Sequence, residues 1–267
     1  MTSVPDSTAA FERRSARAHE LASGSAAAAV PLEFAAGLFE AQAALAARVE
    51  AESDVAPFAG SPREDARRFL DAARELLRFA ADAGPWLLAS EARSRLDESD
   101  EVAVGRLSTY FLGDTSAHED YLSRAILRPY VEVLRELHVA PARPRRRGGC
   151  PFCGGAPWIS ARRDGAPMEG ARRVLVCSLC GDEWSFGRIL CPSCFEGDPR
   201  KLPSFSSEAH PNVRIEACEA CRHYLKSIDL SQDARPIPEV DDLVSLSLDL
   251  WAGEHGLSRI EPGLAGY

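Results

Sequence analysis

The stretch CSLCGDEWSFGRILCPSC, residues 177–194, holds four cysteines in two CxxC pairs. Taken alone it reads as one metal site closed by a ten-residue loop. The rest of the chain argues against that grouping. Eight cysteines occur, all between Cys150 and Cys221, in the pairs Cys150/Cys153, Cys177/Cys180, Cys191/Cys194 and Cys218/Cys221. The gaps between successive pairs are 23, 10 and 23 residues, so a CxxC-x23-CxxC cassette occurs twice with a period of 41. A fixed internal period marks the repeating structural unit. Neighbouring residues keep the same register: Pro151 matches Pro192, and VLVC (174–177) matches IEAC (215–218). The spacing therefore pairs Cys150 and Cys153 with Cys177 and Cys180, and Cys191 and Cys194 with Cys218 and Cys221. GDEWSFGRIL becomes the last strand of the first unit and the link to the second.

Each cassette reads as a cysteine knuckle, a β-excursion, a second knuckle and a following strand, the layout of a zinc ribbon or rubredoxin-like site. Two residues between the cysteines let a tight turn aim both sulfurs at one tetrahedral ion. A glycine after the second cysteine eases the positive-φ geometry of that turn. Gly154 and Gly181 supply it in the first unit, whereas Phe195 and Arg222 stand there in the second, which makes the first site's geometry the firmer expectation. Two readings of the metals stand. They are purely structural, each replacing the core that a unit of roughly 40 residues cannot build, or they are redox-capable iron. Dithiol redox chemistry of the thioredoxin kind calls for one CxxC on a βαβ unit and fits less well.

Residues 30–139 carry helical periodicity instead. Phe34, Leu38, Leu45 and Val49 share one helix face. Ser61, Pro62 and Glu64 form an N-terminal capping box for a helix whose stripe is Phe69, Ala73, Leu76 and Ala80 and which Gly84 and Pro85 end. PWLL (85–88) reads as core. A helix is expected over 101–112, and another from Asp120 in which Pro129 predicts a kink or a break. APARPRRRGGC marks a basic linker. Short β-type runs follow at RRVLVC, EWSFGRIL, NVRIEAC and YLKSIDL. A last helix starts at Asp241 or Asp242, with Val244, Leu248 and Trp251 on one face and Gly256 as its stop. Asp241, Asp242 and Asp249 read as cap and solvated helix face. The expected fold is thus α+β: a flexible N-terminus (1–28), a helical domain (29–140), a basic linker (141–149), two tandem metal ribbons (150–190 and 191–235), and a C-terminal helix and tail (236–267).

Composition bounds the function. Net charge is −9 over 267 residues with 45% apolar content, which argues for a soluble chain and against a nucleic-acid binder. Residues 141–230 hold 14 Lys/Arg against 10 Asp/Glu. That local excess balances two divalent ions on eight thiolates, so Arg172, Arg173 and Arg188 read as offsetting thiolate charge. The N-terminus lacks an apolar signal region, and no stretch reaches the eighteen apolar residues of a membrane helix. Without a signal peptide, CxxC pairs point to metal rather than disulfides. No HExxH, phosphate-binding loop or nucleophile elbow occurs. His223 follows a CxxC pair closely enough to be an outer neighbour of a metal. A site saturated by four thiolates leaves no position for substrate, so no enzymatic activity is expected.

CPFCGGAP, CSLCGDEW, ILCPSC and CEACRHYLKSIDL, in that order, together with FAAGLFEAQ, AILRPYVE and the tail VDDLVSLSLDLWAGEHGLSR, resemble the FdhE family of bacterial formate dehydrogenase accessory proteins. The resemblance implies a cytoplasmic assembly factor that binds the formate dehydrogenase catalytic subunit before its export by the Tat system. It also implies two four-cysteine metal sites on the eight cysteines, with iron favoured by the resemblance and zinc equally compatible with the residues, and a redox role during maturation. A nucleic-acid-binding zinc-ribbon protein and a rubredoxin-like electron carrier are the competing readings.

Overall fold

The computed structural model describes residues 7–164, 171–231 and 233–266. The chain divides into two units, one of residues 1–24 and 29–144, the other of residues 25–28 and 145–267. The first is helical: α1 (Ser7–Gly24), α2 (Ala29–Val55), α3 (Pro62–Asp65), a 3-10 turn (Ala66–Arg68), α4 (Leu70–Ala83), α5 (Trp86–Leu96), α6 (Asp100–Leu112) and α7 (Tyr121–Glu136). α2 is the organising element. It packs against α1, α4 and α7 and buries Leu38, Leu45 and Val49 together with Leu32 and Phe39.

Four expectations need correcting here. Residues 7–24 are an ordered helix and not a flexible lead-in. Phe11 and Ala18 on α1 are fully buried, and the Arg14 guanidinium donates to buried Glu132 on α7 at 2.9 Å. The capping box does not form: Ser61 sits at the N-cap but its side chain accepts no bond. Asp65 takes that task by accepting from the backbone N–H groups of Ala59, Gly60 and Ser61, and Tyr130 donates its hydroxyl to the same carboxylate at 2.5 Å. PWLL is not core. Trp86 is 77% and Leu87 66% exposed at the start of α5. Finally, α7 runs unbroken through Pro129. Proline lacks the N–H that would bond the carbonyl of Ala125 four residues back. That carbonyl instead accepts from Nε2 of Gln42 on α2 at 2.8 Å, so the cost of an unpaired buried carbonyl is avoided and the helix continues past the proline.

The second unit is a single mixed sheet carrying its own helices. Its strands are β1 (Pro157–Arg163), β2 (Arg172–Cys177), β3 (Glu183–Ser185), β4 (Ser204–Ser207), β5 (His210–Ala217), β6 (His223–Asp229) and β7 (Ser258–Arg259), with a 3-10 turn at Pro199–Lys201. The strand order is β3-β2-β1-β6-β5-β4, with β7 beside β6. Each cassette thus contributes a three-stranded antiparallel meander. The two meanders join edge to edge where β1 runs parallel to β6, Ile159 opposite Lys226 and Arg162 opposite Asp229. Pairing at this seam covers one open edge of each ribbon, which would otherwise invite other strands. EWSFGRIL forms a strand only over 183–185, and its remainder is the link between ribbons. α8 (Pro238–Asp241), a 3-10 turn (Asp242–Ser245) and α9 (Leu246–Glu254) close the unit. The closing segment begins at Pro238, with Ile237 at the N-cap, rather than at Asp241 or Asp242. Asp241 serves that start from inside by accepting from the Ile237 N–H at 2.7 Å. Leu248, Ala252 and Leu257 then pack with Ile215, Ala217 and Tyr224 of the sheet, with Trp251 partly covering them.

Replacing Gln42 by Ala is expected to leave the Ala125 carbonyl unpaired in the core and to destabilise the chain by about 1–3 kcal/mol. Urea denaturation of the variant against wild type measures it, and an unchanged midpoint would show that the Gln42 bond does not support α7.

Candidate metal centres

The four knuckles are built alike from the backbone up. In each, the first cysteine's carbonyl accepts from the N–H four residues on: Gly154 to Cys150, Gly181 to Cys177, Phe195 to Cys191, and Arg222 to Cys218. The first cysteine's own N–H donates to the carbonyl five residues on, at Gly155, Asp182, Glu196 and His223, each at 2.9 Å. The residue after the second cysteine is left-handed in all four, with φ of 71° at Gly154, 66° at Gly181, 64° at Phe195 and 60° at Arg222. The second ribbon therefore keeps the geometry despite lacking the glycines, at a cost of roughly 1–2 kcal/mol per non-glycine residue. Side-chain contacts offset part of that. The Arg147 guanidinium lies 3.9 Å over the Phe195 ring, and Arg222 donates to the carbonyl of His255.

These turns bring the sulfurs into two groups, Cys150/Cys153/Cys177/Cys180 and Cys191/Cys194/Cys218/Cys221, within each of which all four lie inside 4.8 Å of one another. Across the pairs, Cys150 to Cys180 is 3.5 Å and Cys153 to Cys177 is 3.4 Å. In the second group Cys191 to Cys221 is 3.7 Å and Cys194 to Cys218 is 3.6 Å. These separations are far too long for a disulfide bond of about 2.05 Å. They approach the edge of roughly 3.8 Å of a tetrahedron with metal–sulfur bonds near 2.3 Å. Residues 177–194 thus contribute half of each group and do not form a site of their own.

The donor chemistry fits a cation. In the first group, hydrogen bonds from Cys153, Cys177 and Cys180 hold the Cys150 thiol well below its ordinary range, whereas burial pushes Cys177 up. In the second, burial pushes Cys191 up to about 12. Four sulfurs this close cannot all ionise unless a positive ion sits among them. Backbone N–H groups add support: Gly155 donates to Cys153 Sγ and Leu179 to Cys177 Sγ, both at 3.4 Å. A Cβ on Gly155 would meet Cys177 Sγ at 2.8 Å, so this position must stay bare for the sulfurs to close. The two centres differ in cover. All four cysteines of the first are buried, and Ser178 between its ligands bonds buried Glu261 at 3.3 Å. In the second, Cys194 is exposed and Cys221 half-buried.

Around the second group lies a cleft of about 230 Å³, lined by Cys191, Cys218, His223, Arg173, Arg188 and Arg214 among others. His223 accordingly is a neighbour of the metal group rather than a member of it. Its Nδ1 is buried without a hydrogen-bond partner. Arg173 is answered by a carboxylate and not by sulfur. It pairs with Glu216 at 2.7 Å and donates to the carbonyls of Gly187 and Leu190, so a β2 residue of the first ribbon is tied to β5 of the second and to the link between them.

Sequence reasoning missed a second polar centre. Lys226 on β6 is fully buried, with Nζ 2.9 Å from Asp242 and 2.6 Å from Asp249. Arg259 on β7 grips both oxygens of Asp242, each at 3.0 Å, and Nη2 also donates to the Trp158 carbonyl on β1. Tyr224 donates to Asp249 at 2.8 Å. Burial works against the charge on Asp242, yet Arg259 and Lys226 hold its carboxyl below the ordinary carboxylate range. Asp242 and Asp249 are therefore buried counter-ions and not a solvated helix face. The signal was an aspartate every seventh residue within an apolar run, which places both on one face but does not say that the face meets a lysine.

With this geometry in hand, the comparisons with known proteins are specific. Residues 149–188 match the FdhE central domain and residues 189–264 the FdhE C-terminal domain. A protein FdhE homolog from Pseudomonas putida is 29% identical over 95% of this chain and 86% of its own length. One from Aquifex aeolicus is 38% identical over 44% of this chain, a match that spans only 41% of that relative. The crystal structure of the FdhE protein from Pseudomonas aeruginosa superposes with a TM-score of 0.69 at 27% identity, covering 99% of this chain and 97% of that one.

Two tests follow for the centres. Gly155→Ala is expected to weaken the first group alone, so that metal analysis of the purified variant falls from two equivalents towards one; two tightly held equivalents would show that the crowding at Cys177 does not matter. Lys226→Met is expected to lower stability by about 3–5 kcal/mol in chemical denaturation, because it leaves a buried carboxylate uncompensated. A loss below ~1 kcal/mol, the range of an exposed pair, would refute its burial among charges. Over residues 149–264 this chain thus matches the FdhE central and C-terminal domains, and over nearly its whole length it is similar to FdhE proteins.

Proposed function

We propose that this protein is an accessory factor in the maturation of formate dehydrogenase, which binds the catalytic subunit in the cytoplasm before Tat export. In this reading it carries one metal ion in each sulfur quartet, on Cys150, Cys153, Cys177 and Cys180 and on Cys191, Cys194, Cys218 and Cys221. The ribbons 150–190 and 191–235 are its metal-bearing units. The observation that carries the reading is the pair of sulfur quartets in a chain whose relatives are FdhE proteins. Four thiolates saturate a tetrahedral ion. A centre of this kind serves to hold structure or to pass single electrons, and not to activate water or substrate, which supports a non-enzymatic role.

What the chain's own residues contribute is clear in either case. The knuckle N–H groups stabilise thiolate charge, the seam between β1 and β6 fixes one centre against the other, and the closing segment seals the sheet. Bound iron would add one-electron redox chemistry, whereas bound zinc would only cross-link. No helix among the described residues is long and apolar enough to cross a membrane, which accords with meeting the partner before export.

Co-purification tests the reading. The wild-type chain is expected to retain a tagged formate dehydrogenase catalytic subunit, and the Cys177→Ala/Cys180→Ala variant to lose it. Failure of the wild type to bind would remove the partner. A folded variant that still binds and supports full maturation would remove the metal from the function. Anaerobic purification with metal analysis and visible spectra decides between iron, which absorbs when oxidised, and zinc, which does not.

A further inference from the structure

The two sulfur quartets have the same knuckle geometry but not the same surroundings, and the molecule thereby contains its own control. Cys150, Cys153, Cys177 and Cys180 are at most 1% exposed. Leu179, between two of these ligands, is also buried at 1%, and the Ser178–Glu261 bond fastens the C-terminal tail beside them. In the second quartet the ligand Cys194 is open to solvent and Cys221 is half-buried. Of the residues between these ligands, Ser193, Glu219 and Ala220 are exposed and Pro192 is buried, whereas between the first quartet's ligands Ser178 and Leu179 are buried, Phe152 is half-buried and Pro151 is exposed. The cleft of about 230 Å³ is lined by the other two ligands, Cys191 and Cys218.

Backbone conformation points the same way. In the first quartet the left-handed position of each knuckle is a glycine, which loses nothing by adopting it. In the second it is Phe195 and Arg222, at φ of 64° and 60°. A side chain with a Cβ prefers to leave this region, so each knuckle of the second ribbon relaxes when a ligand lets go. An incoming chelator must displace thiolates one at a time. It finds its first sulfur exposed at Cys194 and a turn that gains by opening. The cleft also presents Arg173, Arg188 and Arg214, with Glu216 as the carboxylate that pairs Arg173 and lies 3.6 Å from Arg214. These guanidiniums offset the net negative charge of four thiolates on a divalent ion, so the approach of an anionic ligand is not opposed by charge.

We infer that the two centres are kinetically unequal: the first holds its ion permanently, whereas the second, through Cys194, is an exchangeable site from which an anionic chelating or thiol-bearing ligand can take the metal. The exchange needs no oxidant. For each thiolate released by Cys191, Cys194, Cys218 or Cys221, a donor atom of the incoming ligand would take its place on the ion, and the freed thiolate would take a proton from solvent. The inference rests on both quartets being metal sites, and stoichiometry separates failure of that premise from failure of the inequality.

The experiment uses the full chain loaded with two equivalents of zinc and challenged with excess 4-(2-pyridylazo)resorcinol, whose complex is read in the visible range. Two phases of one equivalent each are expected, with rates differing by at least roughly tenfold. Cys194→Ser is expected to delete the fast phase and keep the slow one. Iodoacetamide added to the wild type during release, where each freed sulfur displaces iodide, is expected to label Cys191, Cys194, Cys218 and Cys221 before Cys150, Cys153, Cys177 and Cys180. This mapping needs no variant to fold. Loading of fewer than two equivalents would overturn the metal reading itself and the inference with it. Two equivalents leaving at one rate, or labelling that begins in the first quartet, would overturn the inequality alone.

Discussion

Convergence of four thiols from two turns is the constraint on which the sheet unit depends. A three-stranded meander of short strands has little apolar surface to bury, and β3 and β4 span only three and four residues. Such a unit is marginal without a staple. Each quartet joins two knuckles separated by 23 residues of sequence and so closes a loop that chain entropy would keep open. The knuckle geometry is strict enough to be reproduced four times, even where Phe195 and Arg222 must adopt a glycine-like conformation. Backbone hydrogen bonding and sulfur convergence outweigh the local strain there.

The ribbons are then joined rather than merely adjacent in sequence. The parallel pairing of β1 with β6 makes one sheet of two repeats, and Arg173 reaches from the first repeat to Glu216 and to the inter-ribbon link. Over this sheet the closing segment is held by the charge cluster of Lys226, Asp242, Asp249 and Arg259 as well as by apolar packing. Two cations and two carboxylates balance, which is what permits burial. Such a cluster tolerates little displacement, so it fixes where the closing helix sits more narrowly than an apolar contact would. Family resemblance, the sulfur geometry and the full-length structural match thus concern one object: a doubled ribbon whose two centres are set at fixed separation by a shared sheet.

Much of the candidate site was legible because cysteine spacing is a local quantity with a tertiary meaning. The period of 41 separates true partners from near neighbours, and it works because duplicated units fold alike. Helix stripes were legible for the same kind of reason, as with Phe69, Ala73, Leu76 and Ala80, all buried in the structure. The misses have a common physical cause. Pro129 breaks a helix only if nothing accepts the task of its missing N–H, and Gln42, 83 residues away from Ala125, supplies the donor. Ser61 looked like the cap, yet Asp65 reaches three N–H groups and is itself held by Tyr130. Trp86 and Leu87 looked like core because they are large and apolar, and periodicity over so short a run cannot say which way they face.

By itself the sequence determined the fold class, the eight sulfur ligand candidates and their division into two groups, since these follow from repeat length and residue type. Tertiary structure alone decided three things: that the ribbons share one sheet, that Asp242 and Asp249 are buried against Lys226 and Arg259, and that one sulfur quartet is sealed while the other stands open at Cys194. Each of these depends on which distant segment covers a residue. A local stripe can mark which face of a helix is buried, but which distant segment covers a residue is a property of the space around it, and the pattern near these residues does not encode that.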